Sequence, residues 1–467
     1  MADRKAKRVI YVAAAILLLF FGLNFYIERA MAESPDYVNA AQELPEARRT
    51  AERVFGPLTW EGYYAESGIV HHDDTVKWKK IFDSTPVEAE KYYHKTNLGT
   101  FSSRRLFVQN KAWFLGLQDR MKGLGSTHND KGTFSMKGYE HAPFTTALET
   151  GIIGAADAGD VRSMKQLANV AWEMFKVYAG EPDAFTQMDS GRLRTIIEVA
   201  LLSAAIRHRH DQAVIEAVRE SLAEAPPLPP LAEVYAGNLR DFLLDLDSLG
   251  RQPMSDQIKS INEEMASSHL RQSEPSKIQQ WLDKVFHFHG SDNPKRVGPH
   301  AVDALKVRLL QSTVTLAKTG QQGAPAEWVQ KTLRFAKQVD NKNDLSYEWV
   351  GGPYYGFEAV FQAQNIFRDQ AAQAALSLVQ RFPDLDSLPS ALPADLNFAD
   401  PFAAGDVIYT KTKTGFKLYS RYIDQKDGGL PPFTGIVPDE HDCRFMPGND
   451  WNDYGLVVNY APTDPIP

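Results

Sequence analysis

Four potential metal ligands stand side by side in the sequence, at His71-His72-Asp73-Asp74. Imidazole and carboxylate groups are the ligands with which hydrolases hold catalytic zinc and related ions. Adjacent residues point in different directions on a helix or a strand, so all four cannot meet one ion. Two of them could do so with a partner from elsewhere in the chain. We interpret the cluster first as a polar surface loop, with a metal site at His71, His72 and Asp73 as the alternative.

Familiar catalytic signatures are missing from the chain. The sequence has no Gly-x-Ser-x-Gly, His-Glu-x-x-His, Gly-x-Gly-x-x-Gly or Cys-x-x-Cys motif. Its single cysteine, Cys443, follows His441 and Asp442. Sequence neighbours rarely face each other as a nucleophile and its base must. The sequence therefore predicts no catalytic residues.

Short apolar runs near the C-terminus predict β-strands. Val407-Ile408-Tyr409 and Phe416-Lys417-Leu418-Tyr419 are joined through Lys413-Thr414-Gly415, which is typical of a hairpin. Leu456-Val457-Val458 could add a third strand. A polar stretch rich in Gly and Asp, residues 424–453, separates the hairpin from this run. We therefore expect a small antiparallel β module.

The same C-terminal residues carry a resemblance to a known family. The matching positions are Asp400-Pro401-Phe402, Tyr409, Gly415 to Ser420, Asp424 and Lys426-Asp427-Gly428-Gly429. They resemble the tail of the major (G-type) pseudopilins of type II secretion. A similar tail ends a group of membrane-anchored bacterial helical proteins without a known activity. The resemblance implies location and architecture, and the pilin-type N-terminus of pseudopilins is absent.

The resemblance also implies a calcium site. In pseudopilins the loop after this hairpin binds calcium through aspartates and backbone carbonyls, which suits a hard cation that takes many oxygen ligands. The matching positions are Ser420, Asp424 and Asp427, and Asp450 and Asp453 join them by proximity in sequence alone. The alternative is that all five are solvated turn residues, since Asp and Gly dominate turns. Ca²⁺ is the one cofactor that the sequence suggests.

The first 32 residues predict a membrane segment. A basic cluster at residues 4–8 precedes an apolar run of 19 residues, Val9 to Ile27. A helix of this length spans roughly 28 Å, close to the hydrocarbon core of a bilayer. The basic cluster should stay in the cytoplasm and leave the rest of the chain outside. The alternative is a signal peptide cleaved after Ala32, because Ala30-Met31-Ala32 has the small-x-small form.

The net charge of the chain indicates which classes of partner it can bind. The 467 residues carry a formal net charge of −8, of which residues 1–32 contribute +3 and the rest −11. An acidic body argues against binding nucleic acid or anionic lipid by charge. We therefore expect a membrane span and protein partners, and no nucleic acid.

Apolar residues at helical spacing predict helices over most of the remaining chain. Residues 143–157 form one, Ala158-Gly159 ends it, and Asp160 caps the next. The face of this next helix is marked by Val161, Met164, Leu167, Ala168, Ala171, Phe175 and Tyr178. Asp211 opens a further helix, and the proline run 226–230 breaks the pattern. Further helices are predicted at 231–249, 254–268, 300–318, 325–338 and 355–381.

The predicted fold is mainly α. It combines an N-terminal transmembrane helix, an irregular helical-hairpin body of α-solenoid type, and the small C-terminal antiparallel β module. We divide the chain into residues 1–32 (cytoplasmic stub and anchor), 33–139 (mixed or helical region), 140–382 (helical-hairpin body) and 383–467 (proline-rich linker and β module).

These features favour a non-catalytic scaffold or interaction subunit of a bacterial envelope complex. A single span would hold it in the inner membrane, with the bulk of the chain periplasmic. Two alternatives remain: an envelope metal-assisted hydrolase that uses the His71 to Asp74 cluster, and a secretion-associated protein with a pseudopilin-like tail.

Overall fold

The computed structural model describes residues 35–67, 74–89, 102–125, 142–179, 184–253, 300–320, 324–340, 352–421, 443–447 and 454–460. Within these ranges the chain is mainly helical and has a small antiparallel sheet near the C-terminus, as the sequence predicts. Two units form. The first comprises Met1–Arg53, Leu243–Ser312 and Lys342–Gly351, and the second comprises Val54–Phe242, Thr313–Asn341 and Gly352–Pro467.

The described helices follow in chain order. They are α1 (Pro35–Gln42), α2 (Leu44–Phe55), α3 (Trp60–Ser67), α4 (Thr75–Asp83), α5 (Ser103–Gln109), α6 (Lys111–Leu115), α7 (Leu117–Met121), α8 (Ala142–Asp157), α9 (Val161–Ala179), α10 (Ala184–Arg207), α11 (Gln212–Ala223), α12 (Leu231–Gly250), α13 (Ala301–Gly320), α14 (Pro325–Asp340) and α15 (Gly352–Arg381). The predicted helices at 143–157, 231–249, 300–318, 325–338 and 355–381 are confirmed to within a few residues. The predicted helix at 254–268 lies outside the described residues.

The junction between α8 and α9 forms as its residue types require. Gly159 has a φ of +72°, a left-handed conformation that glycine adopts without steric cost. The N–H groups of Gly159 and Asp160 donate back to the carbonyls of Ala156 and Ala155, each at 2.8 Å. Asp160 Oδ1 then accepts from the N–H of Ser163 at 3.1 Å. The predicted helix stop and N-cap are therefore confirmed.

Four strands form the sheet: β1 (Ile408–Lys411), β2 (Gly415–Ser420), β3 (Cys443–Pro447) and β4 (Tyr454–Asn459). Their order is β1-β2-β4-β3, and all three pairings are antiparallel. The three expected runs are strands, and β3, within the polar stretch 424–453, is a fourth strand that the sequence does not predict. Its apolar residues are too few to mark a strand, and its pairing is supplied by β4, in the register Phe445 to Leu456.

One large hydrophobic core joins helices and sheet in the second unit. Buried side chains of α8, α9, α10, α11 and α15 belong to the same cluster as Phe416, Leu418, Leu456 and Val458 of the sheet. Helix α10 packs against α8, α9, α11, α15 and β3. The sheet is therefore an integral layer of this unit, and α10 and α15 both pack against it.

Helices α5 and α8 approach each other closely within this unit. A Cβ atom at Gly154 would lie 2.1 Å from the backbone oxygen of Ser103. Glycine is therefore required for the two backbones to touch. Phe107 of α5 is buried beside this contact. A Cβ atom added at Gly154 would also lie 2.9 Å from the Cβ atom of Phe107.

The first unit is held partly by charged groups. Lys306 Nζ lies 2.6 Å from Asp247 Oδ1, and the lysine side chain is 9% exposed. Gln311 Nε2 donates to Glu43 Oε2 at 2.8 Å. A buried ammonium group needs such a partner, because its transfer out of water is costly.

Among the described helices, none has both the length and the apolarity to cross a bilayer. The apolar run at residues 9–27, where the membrane segment is predicted, lies outside the described residues.

Candidate functional site

A groove runs along the solvent-facing side of α9. Its larger part has a volume of about 720 Å³, and the adjoining smaller part has a volume of about 530 Å³. Gln118 and Asn169 line both parts. Helix α9 supplies one wall, and α7 with the turn after it supplies the other. We call the two parts together the α9 groove.

The amphipathic pattern of α9 explains why the groove is polar. The predicted apolar face of this helix is buried in the core at Met164, Leu167, Ala168, Ala171 and Phe175. The opposite face carries residues that recur every three or four positions: Arg162, Gln166, Asn169, Glu173 and Lys176. One helix therefore anchors itself in the core and presents a row of hydrogen-bonding groups to solvent.

Carboxamide groups occupy the middle of the groove. Gln166 Nε2 lies 3.3 Å from both the backbone oxygen of Leu115 and Oε1 of Gln118, to which it donates. Asn169 is exposed, and its side chain makes no hydrogen bond to the described residues. The Asn169 carboxamide therefore offers both a donor and an acceptor to a bound molecule.

The two parts of the groove differ in charge. The charged residues of the smaller part are both cations, Arg162 and Lys165, and Lys165 is paired with Glu220. The larger part has two cations, Lys122 and Lys176. It also has three carboxylates, which belong to Asp119, Glu173 and Glu224. The groove is therefore positive at the N-terminal end of α9 and weakly negative further along.

Trp172 connects the groove to the interior. It lines the larger part, yet its side chain is almost fully buried. Its indole Nε1 donates to the backbone oxygen of Ser221 at 2.8 Å. The guanidinium carbon of Arg194 lies 5.6 Å from the centre of the ring, a cation–π contact. The Trp172 side chain in the wall of the groove therefore packs against the buried guanidinium group of Arg194.

Arg194 joins α10 to α15 inside the unit. Its Nε and Nη2 atoms donate to Asp369 Oδ1 and Oδ2 at 2.5 and 2.7 Å, a bidentate pair. Nε also contacts Glu198 Oε1 at 3.2 Å, and Nη1 donates to the backbone oxygen of Pro226 at 2.7 Å. The donors of this guanidinium are thus engaged with protein groups. We call Arg194, Glu198 and Asp369 the Arg194 cluster.

Arg368, next to Asp369, extends these contacts to the sheet. Its Nε donates to the hydroxyl of Tyr454 at the start of β4. Its Nη1 donates to Asn365 Oδ1 at 2.8 Å and to the backbone oxygen of Gly191 at 3.3 Å. Burial raises the pKa of Tyr454, so the hydroxyl stays neutral at physiological pH. Helices α10 and α15 and strand β4 are therefore tied by polar contacts within an apolar core.

Glu198 is the most perturbed carboxyl of this cluster. Burial raises its pKa well above the usual value, the negative charge of Asp369 raises it further, and Arg194 lowers it in part. A buried carboxyl beside a second carboxyl group favours its neutral form, so the structure favours a neutral Glu198. This arrangement resembles the acid–base pairs of enzymes in its groups, but here it holds two helices together.

The residues predicted as sites fall mostly outside the described ranges. Among the proposed calcium ligands, Ser420 is described, and Asp424, Asp427, Asp450 and Asp453 are not. The Ser420 hydroxyl is buried and donates to Asp400 Oδ1 at 2.6 Å. The Asp400 carboxylate also accepts from the N–H groups of Phe402 at 2.8 Å and Arg421 at 3.1 Å.

The other predicted cluster is described at its last residue. His71, His72 and Asp73 lie outside the described ranges. Asp74 is buried, accepts from the N–H of Gly125 at 2.9 Å, and lies 2.6 Å from Lys77 Nζ. Within the described ranges no group of three His, Cys, Asp or Glu side chains is placed to hold a metal ion. Both metal sites therefore stay predictions.

Sequence reasoning missed the groove and the cluster for different reasons. The polar stripe of α9 can be read from the sequence, because it lies opposite the predicted apolar face of the same helix. Arg194 and Glu198 have the spacing of an ordinary surface pair on a helix. Their burial depends on Asp369, which lies 175 residues away in the chain.

Comparison of the chain with protein-family models, with curated proteins and with solved structures gave no match.

Proposed function

We propose that this protein is a non-catalytic, membrane-anchored scaffold or interaction subunit of a bacterial envelope complex, and that the α9 groove is its partner-binding surface. The groove is the observation that carries the proposal. Protein interfaces have a polar rim and direct hydrogen bonds between the partners, and the exposed carboxamide groups of this helix face can supply such bonds. A single span at residues 9–27 would place the body in the periplasm.

The Arg194 cluster supports the non-catalytic part of the proposal. Its two carboxyl groups lie close together, as the acid–base pairs of enzymes do, but both contact Arg194 within the protein. Glu198 and Arg194 are 2% and 4% exposed. A substrate could reach them only by separating α10 from α15.

The proposal includes an α-solenoid-like arrangement of the helical hairpins. Contacts between consecutive helices support it, because α8 packs on α9, α9 on α10 and α10 on α11. The contact of α10 with α15 goes beyond a simple stack, so the array is irregular. A calcium ion bound near Ser420 would then stabilise the β module.

The test is purification of the full-length protein from bacterial membranes in a mild detergent, followed by quantitative mass spectrometry. We expect a stoichiometric partner that is lost with Asn169→Arg, a bulky cation in the middle of the groove. Arg104→Glu, an exposed change on α5 away from the groove, is the matched control and should retain the partner. Deletion of residues 9–27 should move the protein to the soluble fraction.

The opposite outcome is also defined. A lone protein in the membrane extract, together with turnover of hydrolase substrates by the wild type, would reject the scaffold role. A retained partner in the Asn169→Arg protein would reject the groove as the binding surface.

A further inference from the structure

We infer that the α9 groove binds an extended peptide segment of a protein partner, with an acidic residue beside Arg162 and a basic residue beside Glu173. This inference rests on the proposed function and names the kind of partner. It follows from the hydrogen-bonding groups, the charges and the length of the groove.

The hydrogen-bonding groups fit a peptide backbone. The Asn169 carboxamide presents one donor and one acceptor side by side, which matches the N–H and C=O of an extended chain. Gln118 lines both parts of the groove, its Oε1 accepts from Gln166, and its own N–H₂ group makes no hydrogen bond to the described residues. Two carboxamides can therefore hold one main chain at successive positions.

The charges give the peptide its polarity. Arg162 has no acidic partner among the described residues, whereas its neighbour Lys165 is paired with Glu220. At the other end, Glu173 is paired with Lys176 at 2.5 Å, and the larger part as a whole holds three carboxylates and two lysines, a net charge of −1. An acidic group gains most beside the unpaired guanidinium, and a basic group is favoured by the excess negative charge at the other end.

The length of the groove sets the spacing of these charges. Arg162 and Glu173 lie on one helix, eleven positions apart, which corresponds to about 16 Å of helix axis. An extended chain advances about 3.3 Å per residue, and its side chains alternate between two faces. Both charged residues face α9 only at an even separation, so the peptide should carry them about six positions apart, the shortest even separation that spans this distance.

The wall of the groove is fixed before the peptide arrives. Trp172 is hydrogen-bonded to Ser221 and lies against Arg194, so α9 cannot rotate about its axis without breaking both contacts. A rigid binding face loses little conformational entropy when a ligand binds.

Three pools of fluorescein-labelled seven-residue peptides test the inference. The first has an aspartate at position 1 and a lysine at position 7, with five random uncharged positions between them, the second has two aspartates at these positions, and the third has two lysines. Binding to the full-length protein in detergent is measured by fluorescence anisotropy. We expect the first pool to bind most tightly, and to lose binding when its main-chain nitrogens are methylated.

Variants locate the site. Arg162→Glu should weaken binding of the aspartate–lysine pool about tenfold and strengthen binding of the two-lysine pool. Asn169→Ala should weaken every pool several-fold, because it removes contacts to the backbone. Arg104→Glu has the same charge change as Arg162→Glu, lies on α5 outside the groove, and should leave all affinities unchanged. Far-UV circular dichroism verifies that each variant is folded.

Equal effects of Arg162→Glu and Arg104→Glu would overturn the inference, as would binding that survives methylation of the peptide main chain. Absence of binding by any pool would overturn it as well. If the purified membrane partner is lost with Asn169→Arg while no pool binds, the scaffold role stands and the peptide inference fails.

Discussion

The guanidinium carbon of Arg194 lies 5.6 Å from the ring centre of Trp172 and 5.3 Å from that of Phe175, two residues of α9. The same group makes the bidentate bond to Asp369 of α15. The Arg194 side chain of α10 therefore contacts both α9, which lines the groove, and α15, which packs against the sheet.

Replacing Arg194 should be strongly destabilising. Arg194→Ala removes a buried guanidinium together with its bonds to Asp369, Glu198 and the backbone of Pro226, and we expect a loss of about 3 kcal/mol in the free energy of unfolding. Urea denaturation followed by circular dichroism measures it. Arg104→Ala removes an exposed guanidinium of α5 and should cost less than about 0.5 kcal/mol. Equal losses in the two variants would show that the buried pair is not structural.

Glu198 should make stability fall as pH rises. Its folded pKa is raised by burial and by Asp369, so the folded state holds a proton that the unfolded state releases near pH 4.5. Its contribution is fully present below that pH and is lost as pH rises through the folded pKa. Glu198→Gln keeps the shape without the titration, and its unfolding free energy should decline less between pH 5 and 8.

The matched control for this experiment is Glu216→Gln, a half-exposed carboxyl on α11 that is paired with Arg219. Its pH profile should follow that of the wild type. If Glu198→Gln also follows the wild type at every pH, the neutral state of Glu198 in the folded protein is wrong.

Glu358 offers a stabilising substitution. It lies on α15, it is 4% exposed, and neither carboxyl oxygen has a hydrogen-bond partner in the described structure. Burial raises its pKa well above the usual value. Glu358→Met keeps a similar volume and removes the unsatisfied oxygens, so the free energy of unfolding should rise by about 1 kcal/mol. A fall of similar size in a thermal or urea unfolding experiment would mean that this carboxyl has a role which the contacts do not reveal.

Asp160 should make the stability of the protein fall as the pH decreases below 3.8. The hydrogen bond from Lys111 lowers its pKa from 3.8 to about 2, aided by Ser163. Its contribution is present above pH 3.8 and is lost as pH falls towards 2. Asp160→Asn retains the N-cap of α9 without the ion pair, so it should lower stability at pH 7 by about 1 kcal/mol and leave stability at pH 2 unchanged. Equal losses at both values would assign the effect to the cap.

Local features of the fold could be predicted from the sequence, and those that depend on distant residues could not. Gly159 and Asp160 encode the α8–α9 junction by their own conformational preferences, and the apolar stripe of α9 encodes which side of it is buried. Strand β3 has no such signature, because it forms by pairing with β4.

The candidate site follows the same division. The polar stripe that includes Asn169 can be seen in the sequence once the buried face of α9 is known. The second wall, from α7, and the support that Arg194 gives to Trp172 both depend on tertiary packing. No local pattern records them.

The position of β4 has a consequence for how the protein is made. This strand lies between β2 and β3 and packs on α15, yet it follows every one of these elements in the chain. During synthesis, the edges of β2 and β3 and the face of α15 that β4 covers stay open until residues 454–459 have emerged. A nascent chain at this stage is a natural client for chaperones, and ribosome stalling before residue 454 would leave a product for proteolysis.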